Sequence, residues 1–103
     1  MSDMLIISER IIDLLGGYEK LKRKVNADQF SYSEKNHYLS FKFSGRDINY
    51  CLIQYDYLQD LYNLTFIFSN PETYNIEKRE EINSVCASEL ISIFESTTGL
   101  YLN

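Results

Sequence analysis

The chain has 103 residues and a formal net charge of −5, with ten Lys and Arg against fifteen Asp and Glu. This length allows one domain over 1–103, and a hydrophobic content of 45% excludes wholesale disorder. No run approaches ~20 apolar residues and no signal peptide is recognisable, so we expect a cytoplasmic protein rather than a membrane or secreted one.

The first predicted element is a helix over 4–15. Apolar residues recur there at three- and four-residue steps: Met4, Ile7, Ile11, Leu14 and Leu15. Gly16 and Gly17 supply the backbone freedom that ends a helix. A second, short helix over 18–25 is predicted next, and its polar side holds the chain's basic cluster: Lys20, Lys22, Arg23 and Lys24. The polar segment 26–36 is predicted to be turn-like.

The clearest strand signal follows, because apolar residues alternate strictly in Tyr38-Leu39-Ser40-Phe41-Lys42-Phe43. Gly45 predicts a two-residue type II′ hairpin, which places Phe41 opposite Tyr50. A second strand over 47–55 and a third over 61–68 complete a meander, with a three-residue loop between them. We expect one buried face: Leu39, Phe41, Phe43, Ile48, Tyr50, Leu52, Leu64, Phe66 and Phe68.

The opposite sheet face has a mixed composition. It is expected to carry Tyr38, Ser40, Lys42, Asn49, Cys51, Ile53, Tyr55, Asn63, Thr65 and Ile67. This set is too apolar for a fully solvated face and too polar for a second core. Two alternatives remain open: the first helix or the 26–36 segment covers this face, or another chain does.

The last predicted element is a long helix that begins near Asn75 and ends at Gly99. Glu77, Glu80 and Glu81 would lie in its first turns, where the helix dipole favours negative charge. Its apolar stripe would cover the sheet: Ile82, Val85, Cys86, Leu90, Ile93, Phe94 and Thr97. The predicted fold is therefore α+β in two layers, with an N-terminal helix, a three-stranded antiparallel meander and a C-terminal helix packed across the sheet.

No residue pattern points to catalysis. His37 is the one histidine, and it has neither a metal-ligand spacing nor a recognisable partner that would orient it as a base. The chain contains no phosphate loop, dinucleotide fingerprint or nucleophile elbow. Cys51 and Cys86 are interpreted as packed thiols in a reducing cytosol. We therefore expect no enzyme activity, no cofactor and no metal.

Charge is unevenly distributed along the chain. Residues 1–50 carry eight basic and seven acidic side chains, whereas residues 51–103 carry two and eight, a balance of −6. Such a field favours basic partners, with solubility as the alternative explanation. Tyrosine is enriched in protein interfaces. The predicted partner-binding positions are Tyr38, Tyr55, Tyr57, Glu77, Glu80 and Glu81.

Several segments together resemble a group of small phage- and prophage-encoded proteins. They read Ile11-Ile12-Asp13-Leu14-Leu15-Gly16-Gly17, Leu39-Ser40-Phe41-Lys42-Phe43, Ile48-Asn49-Tyr50, Asp60-Leu61-Tyr62-Asn63-Leu64-Thr65-Phe66 and Thr97-Thr98-Gly99-Leu100. The resemblance spans nearly the whole chain. It departs at Lys24-Val25-Asn26-Ala27, where that group carries Met-Thr-Gly-Ala. It implies an accessory protein of a mobile element, in a family without an assigned enzymatic role.

The leading hypothesis is a phage-type accessory protein that acts by binding a protein in the host cell cytoplasm. Its sharper form is an inhibitor of a host defence nuclease complex, of the anti-CRISPR or anti-restriction type. One alternative is a nucleic-acid-binding accessory protein that uses Lys20, Lys22, Arg23 and Lys24, although only one aromatic residue, Tyr18, lies beside them. Another is a structural homo-oligomer, such as a homodimer formed through the outer sheet face.

Overall fold

The chain forms helices on one side of an antiparallel sheet in the computed structural model, which describes residues 3–102. Its elements are α1 (Asp3–Leu14), α2 (Tyr18–Val25), β1 (Asp28–Ser33), β2 (Tyr38–Lys42), β3 (Tyr50–Asp56), β4 (Leu61–Ser69), β5 (Ile76–Val85), a 3-10 turn (Ala87–Glu89) and α3 (Leu90–Thr98). The five strands lie in sequence order. The α+β class is confirmed, but the predicted three-stranded meander is wrong because β1 and β5 extend it at both edges.

Both N-terminal helices form where the apolar spacing predicts them. In α1, Ile11 and Leu15 are fully buried, and Leu21 and Val25 anchor α2 in the same core. Gly17 has a φ of 100°, a backbone conformation that favours glycine, and it separates the two helices. The double glycine therefore acts as the predicted helix end.

The 26–36 segment contains a strand rather than only turns. Phe30 of β1 stacks on Phe41 of β2 with ring centroids 5.2 Å apart, and β1 pairs with β2 through Ser31 and Ser40. Pairing with β2 therefore overrides the weak strand propensity of this polar segment. A positive φ of 53° at Gln29 accompanies an irregular register at the start of β1.

β3 turns toward the core the side chains that were predicted to lie on the outer face. Phe41 lies opposite Cys51 rather than Tyr50, and Leu64 lies opposite Ile53 rather than Leu52. Because side chains alternate between faces, a slip of one residue exchanges them. Cys51, Ile53 and Tyr55 therefore point toward the helices, and Tyr50 and Leu52 point away from them.

Two connections differ from the prediction, and each shifts the pairing of the strands that it joins by one residue. The Phe43 N–H donates to the Asn49 carbonyl, so residues 44–48 form a five-residue loop in place of the two-residue hairpin. Asp56 pairs with Leu61, so four residues rather than three join β3 to β4. The two errors cancel, and β4 keeps its predicted face, with Leu64 and Phe66 buried.

The predicted C-terminal helix is wrong over its first half. Residues 76–85 form β5, which pairs antiparallel with β4, and the helix proper begins at Leu90. A helix over 75–81 would bury little, because Ile76 is its sole large apolar residue. Pairing with β4 satisfies the same backbone groups. The end of the helix at Gly99 is confirmed, with a φ of 75°.

The core lies between the sheet and the helical layer. Phe94 of α3 contacts Phe41, Phe43 and Phe66, with ring centroids 6.2, 5.2 and 6.1 Å away. The buried residues of α1 and α2 belong to the same cluster. In the described part of the chain, neither α1 nor the 26–36 segment covers the outer face, which corrects one of the two alternatives above. None of the helices described is both long and apolar enough to cross a membrane.

Candidate interaction surface

The turn between β3 and β4 carries a cluster of aromatic rings. Tyr57 meets His37 edge-on at a centroid distance of 4.6 Å and Tyr55 at 4.8 Å. Tyr55 also packs on the buried Tyr62 at 5.2 Å. Such pairs contribute roughly 0.5–1.5 kcal/mol each beyond the area that they bury. The ring of Tyr57, which is 44% exposed, is therefore held in place from two sides.

Hydrogen bonds stiffen the same turn. The Tyr55 hydroxyl donates to Asp60 Oδ1 at 2.5 Å, and the Leu58 N–H donates to Asp56 Oδ1 at 2.9 Å. The bond to Asp60, followed by desolvation, raises the pKa of Tyr55 to about 12. Burial raises the pKa of Tyr62, and the nearby Arg10 guanidinium opposes that rise. Both phenols therefore remain protonated at neutral pH.

Two shallow hollows flank Tyr57. One, of about 400 Å³, is lined on the sheet side by His37, Gln54 and Asn63. The other, of about 220 Å³, lies against α1 and is lined by Ile6 and Arg10. Tyr55 and Tyr57 line both hollows. The two hollows are thus adjacent parts of one surface that has Tyr57 at its centre.

Exposed apolar side chains surround these hollows. Leu58 at the tip of the turn is 97% exposed, and Ile6 on α1 is 50% exposed. We define the turn surface as Ile6, Arg10, His37, Tyr55, Tyr57 and Leu58. Its composition, with large apolar groups around a few polar ones, is typical of a binding surface.

The predicted tyrosines are only partly brought together. Tyr55 and Tyr57 lie side by side in the turn surface, although Tyr55 points toward the helices and not to the outer face as predicted. Tyr38 follows His37 in sequence and lies opposite Gln54, so it belongs to the outer face. The turn surface therefore includes two of the three tyrosines.

The predicted acidic helix face does not form. All three glutamates lie on β5: Glu77, Glu80 and Glu81. Glu80 pairs with Phe66 of β4, and Glu81 pairs with Thr65. Successive strand residues point to opposite faces, so Glu80 and Glu81 diverge. Glu81 lies 3.8 Å from Arg79, and Glu77 accepts a hydrogen bond from the Asn70 amide at 2.9 Å.

The basic cluster is explained by its helix. Lys22, Arg23 and Lys24 occupy the last turn of α2, where the helix dipole favours positive charge. Lys22 Nζ lies 5.3 Å from the centre of the Tyr18 ring. Lys20 is half-buried, and its chain packs near Gly16. These contacts stabilise the helix and require no bound phosphate.

Other reactive groups are dispersed. Across residues 3–102, no three His, Cys, Asp or Glu side chains converge as metal ligands would. Both cysteines are free thiols. The prediction of packed thiols is right for Cys51, whose burial raises its pKa, and wrong for the exposed Cys86. His37 is half-buried and packs against Tyr57.

Sequence reasoning missed Ile6, Arg10 and Leu58. Ile6 and Arg10 lie in α1 near the start of the chain, far from the turn in sequence, and no local pattern links them to it. Leu58 did offer a signal, because a large apolar residue at the tip of a turn buries nothing within its own hairpin.

The chain matches no known protein-family model, no curated protein and no solved structure.

Proposed function

We propose that this protein acts by binding another protein and that the partner docks on the turn surface. One observation carries the proposal: Leu58, 97% exposed, stands beside the half-exposed ring of Tyr57, with a hollow on each side of that ring. Scattered apolar residues on a surface are ordinary, whereas grouped ones mark interaction sites. The isolated fold gains nothing from exposing Leu58.

The rigidity of the turn supports the same proposal. Asp56 caps the turn and Asp60 fixes Tyr55, while His37 and Tyr55 together hold Tyr57. Ordering a flexible loop opposes association, and a loop ordered in advance avoids that cost. A central aromatic ring bordered by apolar groups is the usual composition of an interface hot spot.

The finer proposal is that the partner is a basic surface of a host defence nuclease complex and that binding inhibits it. The resemblance to small phage-encoded proteins supports this proposal. So does the net charge of −6 over residues 51–103, because this part of the chain includes Asp56 and Asp60 at the turn between β3 and β4. In this proposal the protein works in the host cytoplasm without catalysis or a cofactor.

Affinity capture from a host lysate, followed by quantitative mass spectrometry, tests the binding proposal. We expect one host protein to be recovered with the wild type and reduced more than about tenfold by Leu58→Asp. Tyr32→Ser is the matched control, because Tyr32 is 42% exposed and lies on β1 outside the turn surface. If circular dichroism shows Leu58→Asp folded and recovery is unchanged, the turn surface is not the docking site.

A plating assay tests the finer proposal separately. Phage is plated on cells that carry an active restriction or CRISPR system, with the protein supplied from a plasmid. We expect the wild type to raise the plating efficiency and Leu58→Asp to remove that effect. If plating does not change although a partner is captured, the partner is not such a defence complex.

A further inference from the structure

The backbone of the β3–β4 turn is already paired within the chain. The Leu58 N–H donates to Asp56 Oδ1 at 2.9 Å, and the Asp60 N–H donates to the Asp56 carbonyl at 2.8 Å. Just before the turn, the Tyr55 N–H donates to the His37 carbonyl at 2.8 Å. A strand that adds to a sheet binds through free main-chain groups. A partner at the turn surface therefore contacts side chains, and its main chain does not extend the sheet there.

The two hollows beside Tyr57 retain side-chain hydrogen-bond donors. Asn63 Oδ1 accepts a backbone N–H of β5 at 2.9 Å, whereas Asn63 Nδ2 and the Tyr57 hydroxyl have no hydrogen-bond partner among residues 3–102. Both side chains line the larger hollow. The guanidinium of Arg10, a group with five N–H donors, lines the smaller one. A ligand with exposed carbonyls and few N–H groups of its own therefore complements these hollows.

Aromatic rings form the common wall of the two hollows. The rings of His37 and Tyr55 meet the ring of Tyr57 at interplanar angles of 79° and 71°, so aromatic faces of different orientation adjoin there. Taken as spheres, adjoining hollows of about 400 and 220 Å³ have centres roughly 8 Å apart, and a polyproline II helix advances about 9 Å per turn. A polyproline II helix thus presents apolar side chains on one face at nearly the interval of the hollows.

A polyproline II segment fits these features better than other protein occupants do. Its prolines lack the N–H group and its carbonyls stay exposed, so it needs donors and supplies apolar rings. Grooves lined by aromatic side chains are the usual docking sites of such segments. A helix, about 10 Å wide, requires one continuous groove instead of two shallow hollows. A second copy of this chain cannot supply the segment, because its one proline is Pro71.

The charge of the lining is balanced. Among the described residues that line the two hollows, Arg10 is the one cation at neutral pH and Asp56 the one anion, with His37 neutral. Anionic lipid surfaces attract clusters of Lys and Arg, and a single arginine beside an aspartate is no such cluster. An uncharged segment of a protein therefore suits this lining better than a membrane surface does.

We propose that the turn surface recognises a proline-rich segment of its protein partner in the polyproline II conformation. One proline packs in the larger hollow between Tyr57 and Leu58, and another, one turn along the segment, packs in the smaller hollow beside Ile6. The Tyr57 hydroxyl, Asn63 Nδ2 and Arg10 donate to carbonyls of the segment. This inference rests on the proposed function, because it names what the partner presents. Segment and turn are both ordered in advance, so little entropy is lost on docking.

Fluorescence anisotropy with a labelled peptide tests the proposal on the full chain. The probe is a peptide of about twelve prolines, long enough for several polyproline II turns. A peptide of the same length made of glycine and serine is the control, because it offers carbonyls without the apolar rings or the fixed conformation. We expect the proline peptide to bind at least about tenfold more tightly than the control. Equal affinities, or a proline peptide that does not bind, would overturn the proposal.

Variants place the peptide on the two hollows. Tyr57→Ala should weaken peptide binding at least about tenfold, whereas Tyr57→Phe, which keeps the ring and removes one donor, should weaken it about fivefold or less. Leu58→Asp and Ile6→Asp each alter one hollow at an exposed side chain, so the fold is retained, and each should weaken binding about tenfold. Tyr32→Ser, on β1, should change nothing. Unchanged affinity in either aspartate variant would show that the peptide does not span both hollows, and the proposal would be rejected.

Competition separates this inference from the proposed function. We expect the proline peptide to displace the host protein that the wild type captures from a lysate. If Leu58→Asp abolishes capture but the peptide does not compete, the partner docks through another kind of segment, so the inference fails and the proposed function stands. If the peptide binds and capture is the same in Leu58→Asp, the proposed function fails instead. Sedimentation with vesicles of phosphatidylserine and phosphatidylcholine tests the lipid alternative: binding of the wild type that Leu58→Asp removes would overturn the inference.

Discussion

Ser8 is the polar exception within the buried stripe of α1. Its side chain is 3% exposed, and its hydroxyl has no hydrogen-bond partner within the part of the chain that the structure describes. A buried hydroxyl that loses its water without gaining a partner costs about 1–3 kcal/mol. Serine is also a weaker helix former than alanine. The fold therefore carries a defect at this position.

Ser8→Ala should raise the free energy of unfolding by about 1 kcal/mol, because it removes the unpaired hydroxyl and improves helix propensity. Urea denaturation followed by circular dichroism measures the change. Ser96→Ala in α3 is the control, since its exposed hydroxyl donates to the Ile93 carbonyl at 3.2 Å, and it should change little. A loss of stability in Ser8→Ala would mean that the hydroxyl stabilises the fold.

The ionisation of Tyr55 makes the stability of the fold depend on pH in the alkaline range. Its pKa is raised from 10.0 to about 12 in the folded chain, where the hydroxyl donates to Asp60. Below about pH 10 the phenol is protonated whether the chain is folded or not, so its full contribution is present. Between the two values the unfolded chain loses the proton first, and stability falls as the pH rises.

Tyr55→Phe should therefore reduce the loss of stability between about pH 9 and about pH 11. Urea midpoints of the wild type and the variant at both pH values give the comparison. The variant should remove only part of the pH dependence of stability. Burial raises the pKa of Tyr62 as well, so Tyr62 also contributes to this dependence. Equal slopes in the two proteins would show that the Tyr55–Asp60 hydrogen bond does not control this dependence.

At the scale of elements, strict alternation correctly predicts β2 and β4, but it cannot orient β3. That strand has apolar residues in both phases, with Tyr50 and Leu52 in one and Cys51 and Ile53 in the other. Only the preceding turn could decide between them. The turn is set by tertiary contacts, because the Ser44 N–H donates to the Val25 carbonyl and Ile48 enters the core.

Paired alanine variants of β3 test its register. Ile53 is fully buried, so Ile53→Ala should cost about 2–5 kcal/mol of unfolding free energy. Leu52 is half-buried on the outer face, and Leu52→Ala should cost clearly less. Urea denaturation of both variants provides the test. If Leu52→Ala were the more damaging change, β3 would have the register that the two-residue hairpin predicted.

The edge strands and the turn surface show a second limit of sequence reasoning. β5 is a polar strand without alternation, and β1 alternates only through Phe30 and Tyr32; both form because a neighbouring strand accepts them. The aromatic part of the turn surface was predictable, since Tyr55 and Tyr57 flank a turn. Its α1 side was not, because Ile6 and Arg10 approach only after the whole chain has folded.

For the whole molecule, the meander converts sequence order into spatial order. Strands lie side by side as they follow in the chain, so α2 and β1 lie toward one edge of the sheet and β5 forms the other. The basic cluster of α2 and the glutamates of β5 therefore lie toward opposite edges of the sheet. This charge asymmetry can orient an approaching partner over a distance of about one Debye length, roughly 8–10 Å.

The β5 edge carries its own protection against association. Two identical strands that pair antiparallel in one sheet are related by a two-fold axis, so one residue must face its own copy. A register centred within Lys78-Arg79-Glu80-Glu81 places two like charges opposite each other at its centre, and all four charged side chains would have to lose water at the new strand pair. Charged residues are a common means of keeping exposed strand edges apart.

Replacing these four residues by threonine should expose an edge that pairs with itself. Threonine keeps strand propensity and removes every charge from the centre of β5, so we expect the variant to dimerise or aggregate. Light scattering over a concentration series should give the monomer mass of 12.1 kDa for the wild type and a larger mass for the variant. The single change Ser92→Ala, on the exposed surface of α3, is the control and should remain monomeric. If the threonine variant stays a monomer with its fold intact, the charges of β5 do not prevent association.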